Sequence, residues 1–218
     1  MKKNYVMRFA AVLLVLVLLS TCVVSGTFAK YVTSDNATDT ARVAKWGVTV
    51  TVTGDDAFKT AYDGSVTSST SEDVVAPGTS GDLATLSITG TPEVDVNIKY
   101  IATLDLGDNW KVGSEEYCPL VFHVKGTDYK IDGSTIKTVD ELETAVVNAI
   151  ATYEEDIEAG TDLSTKDDIA ISWTWAFGTS DDVNDTVNKN DTALGNAAQD
   201  GAAPTINFSL TVTVTQVD

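Results

Sequence analysis

Residues 93–106 read "EVDVNIKYIATLDL", and their alternation decides the fold. Val94, Val96, Ile98, Tyr100, Ala102, Leu104 and Leu106 occupy every second position. A helix turns about 100° per residue and would spread these side chains around its circumference, whereas a strand gathers them on one face. The segment is therefore a strand buried on one side and wet on the other, as in an antiparallel sheet.

The same period recurs on both sides of it. "KWGVTVTVT" (45–53) sets Trp46, Val48, Val50 and Val52 against threonines, and "TINFSLTVTVTQV" (205–217) sets Ile206, Phe208, Leu210, Val212 and Val214 against Asn, Ser and Thr. In "IAISWTWAF" (169–177), Ile169, Ile171, Trp173, Trp175 and Phe177 share a face. Their alternation with small polar residues turns the two tryptophans inward, as core rather than as an exposed sugar platform. Shorter strands are expected at "DLATLSI" (82–88) and "PLVFHVK" (119–125). One segment has another period. In "TVDELETAVVNAIATYEEDIEAG" (138–160), Thr138 and Glu141 have capping-box spacing, and Val139, Leu142, Val146, Ile150 and Ile157 fall near one helical face. An amphipathic helix is expected near 138–159, ended by Gly160, with its apolar stripe across an edge or open end of the sheet. The stretch 178–204, "GTSDDVNDTVNKNDTALGNAAQDGAAP", lacks apolar periodicity and reads as a long loop. Many strands, one inserted helix and no strand–helix alternation give a mainly β chain, a single antiparallel β-sandwich.

The N-terminus has a different composition. Lys2, Lys3 and Arg8 precede a run from Phe9 to Ala29 that carries no charge. This is the pattern of a secretory signal peptide, a signal helix over 1–29. Thr27 and Ala29 are the small residues expected before a cut between Ala29 and Lys30. Residues 30–45 then form a mature N-terminal segment, and 46–218 the sandwich domain. Once cleaved, the chain touches a membrane nowhere through this segment.

The full chain has 32 acidic and 14 basic residues, a formal charge of −18. Cleavage removes three basic residues and no acidic one, which takes the charge to about −21. Such a surface opposes binding to nucleic acid and to anionic lipid, and it attracts cations. Only Cys118 remains after Cys22 leaves, so the mature chain has no intrachain disulfide, and its place at the start of an apolar strand marks Cys118 as a buried thiol.

Candidate chemistry is sparse. His123 is the sole histidine, so a zinc site of the H-E-x-x-H type, which needs two imidazoles one helical turn apart, is absent. Cys118 and His123, five residues apart on one strand, point to opposite faces and form no dyad. Asp181, Asp182, Asp185 and Asp191 lie in one acidic stretch with several asparagines and offer hard oxygen donors suited to calcium, without the spacing of an EF-hand loop. A solvated acidic loop is the preferred reading of them, with calcium as the alternative. No cofactor is required by any motif.

The order of features resembles the TasA/camelysin family of secreted Gram-positive surface proteins. The signal segment ends "SGTFA" and is followed by "KYVTSDNATDTARVAKWGVTVTV"; "VAPGTSGDLATLSITGTPEVDVNIKYIATL" carries a Pro77-Gly78 turn, a short strand and a long strand; "TINFSLTVTVTQ" ends the domain. The resemblance implies a jelly-roll sandwich, processing by a signal peptidase of the SipW type, and a place in the extracellular matrix or at the cell surface. In fibre-forming members it implies self-association, in which the mature N-terminal segment leaves its own subunit and completes a sheet of the next. Here that donor would run from Lys30 to Val43, with Lys30 and Val32 in its strand and Tyr31 and Val43 as apolar contacts. The expected function is a structural subunit of extracellular fibres or biofilm matrix, not an enzyme. The alternatives are a camelysin-like surface metallopeptidase, as some members are labelled, and a monomeric, calcium-stabilised binding module whose residues 30–43 fold back on their own sheet.

Overall fold

The alternating segments fold as antiparallel strands in two sheets that share one hydrophobic core. The computed structural model describes residues 32–36, 40–42, 47–54, 58, 73–178 and 185–217. The chain divides into two compact units, Met1–Tyr31 and Val32–Asp218, and the second is described here. The signal segment over 1–29, its cleavage pair Ala29 and Lys30, and Tyr31, Val43, Asp181 and Asp182 lie outside the described residues.

In chain order the strands are β1 (Val32–Asn36), β2 (Thr40–Arg42), β3 (Val48–Thr53), β4 (Thr79–Gly90), β5 (Val96–Asp105), β6 (Lys111–Val112), β7 (Glu115–Glu116), β8 (Leu120–Val124) and β9 (Thr127–Tyr129). Helix α1 (Val139–Ala151) and β10 (Glu155–Ile157) follow, then a 3-10 turn (Leu163–Thr165), β11 (Ile169–Trp175), helix α2 (Thr186–Gln199) and β12 (Asn207–Gln216). One sheet has the order β1-β12-β5-β10 and the other β2-β3-β4-β11-β8-β9, with β6-β7 as a small ribbon.

Among the described residues the expected inward faces are the observed ones, while Trp46 lies outside them. Val48, Val50 and Val52 of β3, Val96, Ile98, Tyr100, Ala102 and Leu104 of β5, Ile169, Ile171, Trp173 and Trp175 of β11, and Leu210, Val212 and Val214 of β12 are all buried. Each large apolar side chain so buried contributes about 1.5–3 kcal/mol. Phe177, expected on the same face as Trp175, lies beyond the end of β11 and is 57% exposed. Its ring rests instead against Gly78, which has φ +83. Pro77 and Gly78 occupy the central positions of a turn closed by a hydrogen bond from the Thr79 N–H to the Ala76 carbonyl at 3.1 Å, as the Pro-Gly pair requires. A bulge opposite Ile171 and Ser172 puts both Leu83 and Ala84 of β4 in the core.

Two helix expectations need correction. Helix α1 ends at Ala151, well short of 159, and residues 155–157 are a strand paired to β5. The physical reason is the run Glu154, Glu155, Asp156: negative charge opposes the carbonyl end of a helix dipole. Ile157 is buried by strand pairing instead. The N-terminal cap is as expected, Thr138 Oγ1 accepting from the Glu141 N–H at 3.1 Å. Glu141 Oε2 reaches back to the Lys137 N–H at 2.7 Å, and Glu116 Oε2 takes the Val139 N–H at 2.7 Å. The second correction concerns the helix count: the described residues form two helices, not one insertion, because residues 186–199 form α2 inside the stretch read as a loop. Asp185 caps it, accepting from the Val187 N–H at 2.9 Å, and its buried residues are only Asp191 and Leu194.

The two sides of the sheet pair are covered differently. Helix α1 packs on β5 of one sheet and on β8 and β9 of the other, bridging the side where the sheets end in the three-residue strands β10 and β9. On the opposite side the edges are β1 and β2, which also touch each other.

Candidate functional site

The N-terminal segment pairs with both sheets. Its first strand, β1, lies antiparallel on β12 with Val32 opposite Thr215, Ser34 opposite Thr213 and Asn36 opposite Thr211. Its second, β2, lies antiparallel on β3 with Thr40 opposite Thr51 and Arg42 opposite Thr49. The inner neighbours of these strands are paired along their lengths on the far side, β12 to β5 over ten residues and β3 to β4 over six. β12 and β3 are therefore fully built edges that, among the described residues, only 32–36 and 40–42 cover. A backbone hydrogen bond in such a ladder contributes a net 0.5–1.5 kcal/mol, roughly, while an exposed row of unpaired N–H and C=O groups is a template for another strand. Of the expected donor residues, Val32 is in β1, and Lys30, Tyr31 and Val43 lie outside the described residues.

Of the four acidic residues suited to calcium, Asp181 and Asp182 lie outside the described residues, and Asp185 and Asp191 have separate roles. Asp185 caps α2. Asp191, six residues on, is buried, where its Oδ1 accepts from the Tyr117 hydroxyl at 2.8 Å and the Trp175 Nε1–H at 3.3 Å. Burial raises the pKa of Asp191, opposed by these two hydrogen bonds, and burial together with the Asp191 carboxylate raises that of Tyr117. Asp191 thus anchors α2 to the ends of β7 and β11 over the Trp110–Trp175 pair, whose rings meet edge to face at 5.8 Å. Among the described residues no group of three or more His, Cys, Asp or Glu side chains is placed to hold a metal ion.

His123 has a setting that strand alternation alone does not reveal. It lies on the outer face of β8, and its Nδ1 is 2.7 Å from Asp128 Oδ1 while its Nε2 is 3.0 Å from Thr174 Oγ1. The two-residue turn Lys125-Gly126 joins β8 to β9 and places Asp128 directly opposite His123; Thr174 comes diagonally from β11. The hairpin signal was present in the sequence as a glycine between two short strands, and Thr174 carried none. The line Asp128–His123–Thr174 has the order of an acid–base–hydroxyl relay, yet β11 is paired on both sides, so its backbone N–H groups are committed to ladders rather than to an oxyanion. Both ring nitrogens of His123 are engaged by side chains. Cys118 is 7% exposed and faces the core, apart from His123, and burial pushes its thiol up to about 12.

Compared with models of known families, with characterised proteins and with solved structures, the chain matches none.

Proposed function

We propose that this protein is a secreted structural subunit of extracellular fibres or biofilm matrix, assembling when its processed N-terminal strand leaves its own sheet edge and pairs with that of the next copy. The observation that carries the reading is the seat of β1 and β2 on the edges of both sheets. A pairing made within one subunit is chemically the same pairing between two, since β12 of every copy presents the same register. The pairing is short, five residues and three, so its intramolecular advantage is small enough to be overcome by concentration.

The finer architecture implied by the resemblance to TasA/camelysin proteins, a jelly roll, belongs to the same proposal. Its support is the strand order: lettering β1, β4, β5, β8, β9, β10, β11 and β12 as B to I gives B-I-D-G in one sheet and C-H-E-F in the other, with β2 and β3 added beside C. In that order strand B completes the sheet of strand I, so a subunit that has given away β1 lacks one strand that another copy supplies. Release of the strand by a SipW-type signal peptidase after Ala29, in a Gram-positive bacterium, fits the charge-free leader before it.

A second reading, a monomeric cell-surface module, is favoured by the same pairing, because residues 32–36 and 40–42 sit on their own sheets. The metallopeptidase reading draws no comparable support, with His123 held by Asp128 and Thr174. Residues 30–218 and a version beginning at Trp46 separate the first two readings by light scattering and negative-stain microscopy. Filaments from the longer chain alone are expected; two monomers at every pH and salt concentration would overturn the fibre reading.

A further inference from the structure

A cavity of about 370 Å³ opens beside β4 and β5. Its volume lies in the range of small-molecule sites. Leu86, Ile88 and Ile169 make an apolar floor, and Tyr100 and Tyr153 contribute rings. The remaining lining is charged: Lys125 and Lys166 face Glu154, Glu155 and Asp167.

Three features set it apart from an ordinary surface crevice. Tyr100 is only 3% exposed, yet its hydroxyl has no hydrogen-bond partner among the described residues. No closed-off side-chain oxygen is left unpaired there, so that hydroxyl opens on the cavity it lines. Burial, and then the Glu155 carboxylate, raise the Tyr100 pKa well above the ordinary phenol value, which keeps it a neutral donor and acceptor. Second, Lys125 has φ +46 in a turn that favours Asn or Gly, a conformation in which a long side chain is unusual; its Nζ stands over the Tyr153 ring at 5.5 Å. Third, two of its carboxylates are already paired. Lys166 Nζ is 2.6 Å from Glu155 Oε2, and Lys99, outside the lining, brings its Nζ to 3.5 Å from Glu154 Oε2, which leaves Lys125 and Asp167 as one lining charge of each sign outside an ion pair among the described residues.

We propose that this cavity binds a neutral saccharide unit, held by the Tyr100 hydroxyl, the Lys166–Glu155 pair and the Tyr153 ring. At the Lys166–Glu155 pair a charged ligand would have to break an ion pair to gain one, and the remaining Lys125 and Asp167 carry one charge of each sign, so the lining selects neither an anion nor a cation. A polyhydroxyl ligand needs donors and acceptors side by side, which paired lysines and carboxylates still offer through their remaining N–H bonds and lone pairs, and its C–H faces pack on aromatic rings. The apolar floor covers the less polar face of the sugar ring.

Saturation-transfer NMR on the full chain, with glucose, galactose, N-acetylglucosamine and cellobiose as probes and acetate and putrescine as charged controls, tests it. At least one sugar should bind and the controls should not. Tyr100→Phe should weaken that sugar at least tenfold without lowering the thermal midpoint, since the lost hydroxyl bonds nothing in the protein. Lys125→Asn, which suits the turn, should remain folded and weaken binding several-fold. Binding of only the charged probes, binding of no probe, unchanged affinity in both variants, or a lowered midpoint in Tyr100→Phe would each overturn the proposal.

Discussion

Ser34 of β1 lies directly opposite Thr213 of β12 in an antiparallel pair. Directly opposite Cα atoms in such a ladder are about 4.5–5.5 Å apart, within the span of a disulfide. The double variant Ser34→Cys, Thr213→Cys should therefore lock the strand onto its own subunit when oxidised. Cys118 is buried and does not compete. The oxidised protein is expected to stay monomeric by light scattering and to assemble after reduction; equal assembly in both states would show that β1 is not exchanged.

Asp191 should matter through its partners rather than through its charge. Asp191→Ala leaves the Tyr117 hydroxyl and the Trp175 Nε1–H without their acceptor, at a cost of about 2–4 kcal/mol. Asp191→Asn keeps an acceptor oxygen and should cost far less. The sign of the pH dependence follows from the raised pKa of the buried carboxyl: the folded state holds this proton more tightly than the unfolded chain, so the contribution is fully present below the unfolded value and is lost as pH rises through the folded one. Urea unfolding should accordingly show Asp191→Asn gaining on the parent protein between pH 4 and pH 7.

Thr138→Ala removes one of several acceptors at the start of α1. The loss should be about 1 kcal/mol, typical of an N-cap, and not a collapse of the helix, because Glu116 still accepts from the Val139 N–H. A shift of the urea midpoint with unchanged helical circular dichroism below the transition is the expected result.

The Cys118 thiol should be silent in the folded protein. With its pKa pushed up to about 12 by burial, only roughly one molecule in ten thousand carries the reactive thiolate at pH 8, and the sulfur is enclosed as well. A protein of residues 30–218, in which Cys118 is the sole cysteine, should not react with a thiol-exchange reagent over an hour when native, and should release one equivalent per chain when unfolded in guanidinium.

The parts of the fold legible in the sequence are those where one residue's neighbours decide its environment. Val96 to Leu104 and Val48 to Val52 alternate because water lies on one side and core on the other, and the structure buries the expected members. Helix α2 escaped notice because its buried face holds a hydrogen-bonded aspartate where an apolar stripe would be, with Leu194 the one large apolar residue among its buried positions. The end of α1 was misplaced because Ile157 fits a helical face as well as it fits a strand. Only the resemblance put Val32 in a strand, and nothing local says which edge receives it. The Tyr100 cavity was invisible for the same reason: Leu86, Lys125, Glu155 and Lys166 share no spacing, and only the topology brings them together.

The three-residue strands β9 and β10, beside the bridging helix, give the molecule a direction. They offer a stranger only a few backbone groups, while β12 and β3 present long ladders on the other side. Under the proposed strand exchange, such a subunit would have one adhesive flank and one inert flank. Growth would then be steered into a single file of folded domains, and among the described residues the flank of β9 and β10 would offer no long border from which a cross-β deposit could begin.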